Sequence, residues 1–431
     1  MLKVAKFGGS SLADAARFLR VREIVLSDPD RRVVVVSAPG KRHAADHKLT
    51  DLLYLCHAHM TYGVSCWDLW RRVRERFVSI RDGCALQYPV ERELDDVYAS
   101  FSPAFSRDAL ASRGEYFSAR LMAELLDYEF LDSARWLRFD YAGRVQQRES
   151  YELLRSLAGN RRIVTPGFYG SMPSGELHTF PRGGSDVTGS LAAAALQADV
   201  CENWTDVPGI LAADPRVMEN ADAIPELTYY ELKILSSVGM QVLHDDAVAP
   251  VREGKIPLRI KSTLEPGAPG TVIRACLDAE AKSGVVGFAG RRHLALLELS
   301  TPCMEEEGPR VRACLDEAGL PILCAARRPG GMSALLDCAG CGERVRAAAE
   351  RLPRLAPAGT VRLREDMSLL AALLRGGSAA PRLLAAIGSA GIPVAFSAYS
   401  GPCLLAAVED GQYAPALRAA YAAGRSDESE K

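Results

Sequence analysis

The chain has 431 residues, of which 48% are hydrophobic and 25% charged, with a net charge of −2. The length exceeds one ordinary core and favours two or three domains, and the near-neutral balance gives no electrostatic case for a nucleic-acid or anionic-membrane partner. No apolar run approaches the roughly 20 residues that span a bilayer, and no signal-peptide pattern opens the chain, so a cytoplasmic location is expected. Eleven cysteines are scattered. The Cys338-x-x-Cys341 pair lacks companions at zinc-ligand spacing, so these read as thiols in a reducing compartment.

In chain order, a short apolar strand carries Lys6 into Gly8-Gly9-Ser10-Ser11, and a helical pattern starts at Leu12. Residues 32–37 form a continuous apolar run, as in a strand buried on both faces of a parallel sheet. Helical patterns follow over 49–59, in an excursion over 66–98, and over 109–127. A strand over 162–165 ends at Pro166-Gly167, and an Ala-rich helix covers 187–197. A strand over 201–205 feeds Asp206-Val207-Pro208-Gly209. Residues 229–243 read as one helix and 257–260 as a strand. This alternation predicts α/β architecture with a mostly parallel sheet. Beyond the Pro- and Gly-rich stretch 266–270 the pattern changes to a weak repeat of βαββαβ type. Strands are predicted over 285–288 and 294–299, with an acidic loop at Glu305-Glu306-Glu307 and a helix from Gly308.

Four clusters carry potential chemistry. The first is Lys6-Phe7-Gly8-Gly9-Ser10-Ser11. Glycines allow close backbone approach to an anion, turn amides can form an anion-binding concavity, and a helix start adds its positive end. The others are Ser112-Arg113-Gly114-Glu115, then Arg182-Gly183-Gly184-Ser185-Asp186 at a helix start, then Trp204-Thr205-Asp206-Val207-Pro208-Gly209-Ile210 with Asp214-Pro215-Arg216. Together they suggest phosphoryl transfer, which asks a protein mainly for positive charge, donors and positioning. No P-loop or protein-kinase motif set is present.

Taken in order, these clusters resemble the aspartate kinase family, and Val242-Leu243-His244 and Gly270-Thr271 follow in the family's sequence. The resemblance covers essentially the whole chain. It implies a three-layer α/β/α amino-acid-kinase domain over 1–275 with a mostly parallel sheet. Two ferredoxin-like ACT domains would follow over 283–355 and 360–424, then a frayed tail over 425–431. The implied reaction is ATP plus L-aspartate giving ADP and 4-phospho-L-aspartate, the entry to lysine, threonine and methionine synthesis. Lys6 and Asp186 would be catalytic. Lys6, Phe7, Gly8, Gly9, Ser10, Thr205, Asp206, Leu211, Arg216, Gln241 and Val242 would handle ATP and its phosphates. Thr50, Glu115, Arg182 and Ser185 would hold aspartate. Mg²⁺ would come with the ATP phosphates, with no protein ligand. Lysine or threonine would act as effector at the ACT domains, in a homodimer or higher homo-oligomer without nucleic-acid or membrane partners. Two alternatives stay open: a related kinase acting on another acid, and an inactive amino-acid sensor. Gln241 stands where many family members carry a lysine, and Lys261 is a candidate substitute.

Overall fold

The computed structural model describes residues 1–181, 183–240, 243–277, 284–338, 342–376 and 379–425. The chain divides into two compact units. The first holds Met1–Ile210, Pro225–Tyr230 and Val242–Leu277; the second holds Leu211–Ile224, Glu231–Gln241 and Asp278–Lys431.

The first unit contains ten strands among the described residues: β1 (Lys3–Phe7), β2 (Arg31–Val36), β3 (Glu129–Phe130), β4 (Ile163–Pro166), β5 (Tyr169–Ser171), β6 (Leu177–Thr179), β7 (Val200–Thr205), β8 (Glu226–Thr228), β9 (Leu258–Ser262) and β10 (Thr271–Arg274). Eight make one sheet in the order β3-β4-β2-β1-β7-β9-β10-β8, and β5 with β6 forms a separate hairpin. Every pairing in the large sheet is parallel except β9 with β10. The valines of β2 fill this central position because both faces are covered.

Its helices are α1 (Ala15–Leu26), α2 (Leu49–Thr61), α3 (Trp67–Gly83), α4 (Val90–Ala99), α5 (Arg107–Ala111), α6 (Arg113–Leu126), α7 (Gln147–Ala158) and α8 (Gly184–Leu196), with α10 (Asp245–Glu253) after α9 (Tyr229–Ser237), which leaves the unit at Glu231. On one face of the sheet, Ala5, Phe7, Val34 and Val36 join a core built with α1, α2, α3 and α6. On the other face lies α8, whose Gly189 permits close approach: a Cβ there would sit 3.0 Å from the Lys6 Cβ. The predicted helix over 109–127 is broken at Ser112 into α5 and α6. The predicted helix over 229–243 stops at Ser237, and α10 starts afresh, capped by His244, whose Nδ1 accepts the Asp246 N–H.

The second unit contains β11 (Gly284–Ser300), α11 (Met304–Glu317), β12 (Ile322–Arg328), β13 (Gly331–Asp337), α12 (Gly342–Leu355), β14 (Thr360–Arg375), α13 (Ala379–Ser389), β15 (Phe396–Ser400), β16 (Cys403–Glu409) and α14 (Tyr413–Arg425). Its six-stranded antiparallel sheet runs β12-β13-β11-β14-β16-β15. Two ferredoxin-like halves share the long strands. The later half of β11 and the early half of β14 lie with β12 and β13 over a core that includes Leu297, Val311 and Leu352. The early half of β11 and the later half of β14 lie with β15 and β16 over Phe288, Leu383 and Leu417. The two strands predicted over 285–288 and 294–299 are therefore one. The acidic loop is also corrected: Glu305, Glu306 and Glu307 form the first turn of α11, where the helix dipole favours them. Glu307 is buried and accepts the Ala358 N–H at 2.9 Å.

Candidate active site

In open α/β sheets, ligands bind beyond the carboxyl ends of parallel strands. Four such ends meet here, on β1, β2, β4 and β7. The loop after β1 crosses the loop after β2 at van der Waals distance: Gly40 N–H donates to the Gly9 carbonyl at 2.8 Å, and a Cβ on Gly9 would stand 2.8 Å from the Ala38 carbonyl. Gly8 N–H donates to the Trp204 carbonyl at 3.0 Å, tying the same loop to β7. After β4, Gly167 packs on Ser185 in the first turn of α8; a Cβ there would be 2.6 Å from the serine's.

Lys6 is buried, and its register partner on β7 is Asn203. The Lys6 ammonium lies 2.5 Å from Asp186 Oδ1 and 3.3 Å from Asn203 Oδ1, while Asn203 Nδ2 donates to the same Asp186 oxygen at 3.0 Å. Asn203 is absent from the sequence-derived set. Its signal was a polar residue at a position of a buried strand that faces α8, legible only once β7 is paired with β1.

Glu115, in the first turn of α6, is 5% exposed, and its Oε2 has no hydrogen-bond partner among the described residues. Burial pushes its carboxyl up to about 8, against a hydrogen bond from the Ala38 backbone N–H. Gly114 lets this turn seat against Ala38 and Leu49, whose side-chain atoms would be 2.7 and 3.2 Å from a Cβ at that position. That packing brings Glu115 close to the start of α2, where Thr50 is half-buried.

Phe7, by contrast, points into the core and stacks on Trp204 with centroids 5.9 Å apart, so only its backbone faces the rim. Lys261, the candidate substitute for a lysine at 241, does not face Lys6. Its ammonium sits 5.1 Å from the Trp204 ring centroid, on the sheet face opposite Lys6. Thr205 donates to Asp206 at 3.1 Å, and Asp206 borders a hollow of about 160 Å³ lined also by Ser10, Arg17, Arg20, Lys41 and Thr263. Leu211 and Arg216 belong to the second unit, where the Arg216 guanidinium holds Asp214 at 2.7 Å. Arg182, Gln241 and Val242 lie outside the described residues. Among the described residues, no three His, Cys, Asp or Glu side chains gather to hold a metal ion, and no helix is long and apolar enough to cross a membrane.

Residues 1–262 match the model of the amino acid kinase family. Over 337 residues the chain is 37% identical to aspartokinase 3 of Bacillus subtilis, covering 74% of each protein. The chain belongs to the aspartokinase family. Among solved structures, the aspartate kinase of Clostridium acetobutylicum, described as an allosteric enzyme, is 31% identical, with a TM-score of 0.88 over 98% of this chain and 99% of that one. Aspartokinase III of Escherichia coli is 25% identical over 98% of this chain and 99% of its own. It superposes with a TM-score of 0.70 in complex with aspartate and ADP and 0.73 in complex with lysine and aspartate. The aspartokinase fold is thus matched along nearly the whole chain, second unit included.

Proposed function

We propose that this chain transfers the γ-phosphoryl group of MgATP to the β-carboxylate of L-aspartate, as the cytoplasmic first step toward lysine, threonine and methionine. The observation that carries the reading is the Lys6 ammonium, buried against Asp186 and opening onto the Gly8-Gly9 turn. A β-carboxylate oxygen bonds to the γ-phosphorus, the bond from that phosphorus to the bridging oxygen breaks, and ADP leaves. The carboxylate is already ionised at neutral pH, so the step needs no strong base. Lys6 offsets charge on the transferring group, and the Gly8, Gly9 and Ser10 donors orient its oxygens. Asp186 holds Lys6. Glu115 receives the substrate ammonium, and Thr50, Ser185 and Arg182 complete the aspartate pocket. Thr205, Asp206, Leu211, Arg216, Gln241 and Val242 serve the nucleotide. Mg²⁺ enters with ATP as part of the substrate.

Residues 1–275 would carry catalysis and 283–424 regulation, with lysine or threonine as effector and a homodimer as the assembly. The ten described cysteines are all free, in keeping with a reducing compartment.

The test is ADP release with aspartate, glutamate or acetylglutamate, hydroxylamine trapping the acyl phosphate. Aspartate-dependent ADP and hydroxamate are expected. ADP release only with another acid would move the assignment to a related kinase. Amino-acid binding by calorimetry without any turnover would make the chain a sensor.

A further inference from the structure

We propose that Asn203 is a positioning residue that aims the Lys6 ammonium at the phosphoryl-transfer site; the inference rests on the catalytic reading of Lys6 given above. A lysine ammonium has three N–H donors. Asn203 Oδ1 accepts one at 3.3 Å, and Asp186 Oδ1 stands against the ammonium as an ion pair at 2.5 Å. One directional acceptor and one ion-pair partner together fix where the ammonium sits and how it is turned. The Nζ atom stands beside the Gly8 turn, 3.6 Å from where a Cβ on Gly8 would lie.

The amide suits this place because it does two opposite jobs. Its oxygen accepts from Lys6 while its nitrogen donates to Asp186. A flipped amide would set NH₂ against NH₃⁺ and oxygen against carboxylate, so the neighbours dictate one orientation. Its neutrality matters too. Lys6 and Asp186 balance each other, and a charged residue at 203 would leave a buried excess. Asn203 Nδ2 and Lys6 share Asp186 Oδ1, which turns Oδ2 toward the Gly183 turn; a Cβ on Gly183 would be 4.0 Å from it. The three side chains border a void of about 10 Å³, with Gly189, Cys201 and Leu258 among its walls. That is room for about one water. A leucine fills the space of the amide itself, so that single void is, among the described residues, the one place beside these side chains where a water can stand in for it.

The experiment compares full-length wild type with Asn203→Leu, Asn203→Asp, Lys6→Ala and the Lys6→Ala/Asn203→Leu double variant, after circular dichroism and melting establish folding. Asn203→Leu is expected to lower kcat roughly 10²-fold, the scale of a misaimed catalytic group, with KM for aspartate within about 2-fold. In the Lys6→Ala background the same change should cost less than about 3-fold, because residues acting as a unit are not additive. Asn203→Asp places a second carboxylate beside Asp186, and its residual activity should rise as pH falls and the two carboxylates share a proton.

Multiplying losses in the double variant, or unchanged kcat in Asn203→Leu, would overturn the role of Asn203 while leaving the proposed reaction intact. A Lys6→Ala enzyme with full activity would instead remove the reading on which the role depends. Should Asn203→Leu fail to fold, Asn203→Asp with the pH profile decides: a flat profile matching wild type overturns the proposal.

Discussion

Lys6 Nζ lies 2.5 Å from Asp186 Oδ1, joining the last turn-facing side chain of β1 to the first turn of α8. The pair is buried on the lysine side and more open on the carboxylate side. Removing the ammonium by Lys6→Ala should lower kcat by about 10²–10³-fold, the scale for losing one charge-stabilising donor. Asp186 keeps its hydrogen bond from Asn203, so the fold should hold. Single-turnover rates together with melting curves check this; an unchanged rate in a folded variant assigns the chemistry elsewhere.

Glu115 gives the protein a pH signature. Burial raises its folded carboxyl from the ordinary 4.5 to about 8. The folded, substrate-free chain therefore holds a proton that the unfolded chain releases above 4.5. The associated stability is complete below the unfolded value and is lost as pH rises through 8, amounting to a few kcal/mol at most. Urea unfolding at pH 6 and pH 9 should show the decline, and Glu115→Gln should flatten it. A substrate ammonium placed at Glu115 favours the carboxylate, so aspartate binding below pH 8 should release a proton. Calorimetry in buffers of different ionisation enthalpy measures that release, and a value of zero would take Glu115 out of the ammonium site.

On the opposite face of the sheet, Arg31 and Glu202 form a bidentate pair at 2.7 and 3.3 Å, and Trp204 Nε1 donates to the same carboxylate at 2.9 Å. Both members are more than nine-tenths buried. Arg31→Met leaves a buried carboxylate with one weak donor and should cost about 3–5 kcal/mol. Adding Glu202→Gln removes the stranded charge and keeps an acceptor for Trp204, so the double variant should recover much of the loss. KM for both substrates should stay near wild type at low temperature. A double variant no more stable than Arg31→Met would show that packing, not charge, sets the cost.

The strand–Gly-Gly turn, the α8 start and the β7 end were legible in the sequence because each is a local pattern. Asn203 was not, because its meaning depends on the register between β1 and β7. The sequence pattern predicts two strands, over 285–288 and 294–299, where the fold has the one strand β11, and Arg291, Arg292 and His293 lie between them. In the fold they form an irregular step between register pairs, with His293 at a φ of 59° and Arg292 held by Asp410 at 2.6 Å. A charged exposed bulge and a loop share one sequence pattern. The shared use of β11 and β14 by two cores is likewise a pairing property that composition does not carry. Lys261 looked available in sequence, but strand alternation puts it with Trp204 rather than with Asn203.

Gly9 offers a test of how tightly the rim is built. Its loop and the loop after β2 touch backbone to backbone, and a Cβ on Gly9 would meet the Ala38 carbonyl at 2.8 Å and the Gly40 nitrogen at 3.3 Å. Neither neighbour is the flexible end of a side chain, so Gly9→Ala must part the two loops. Overpacking of this kind costs about 1–3 kcal/mol. The displacement reaches further than the phosphate turn, because the Ala38 N–H also serves Glu115. Gly9→Ala should therefore lower kcat and raise KM for aspartate together, rather than affecting ATP alone. Gly267→Ala is the control, since a Cβ there has nothing within 4 Å and should leave both constants unchanged. A Gly9→Ala enzyme with altered ATP kinetics but wild-type KM for aspartate would uncouple the two loops.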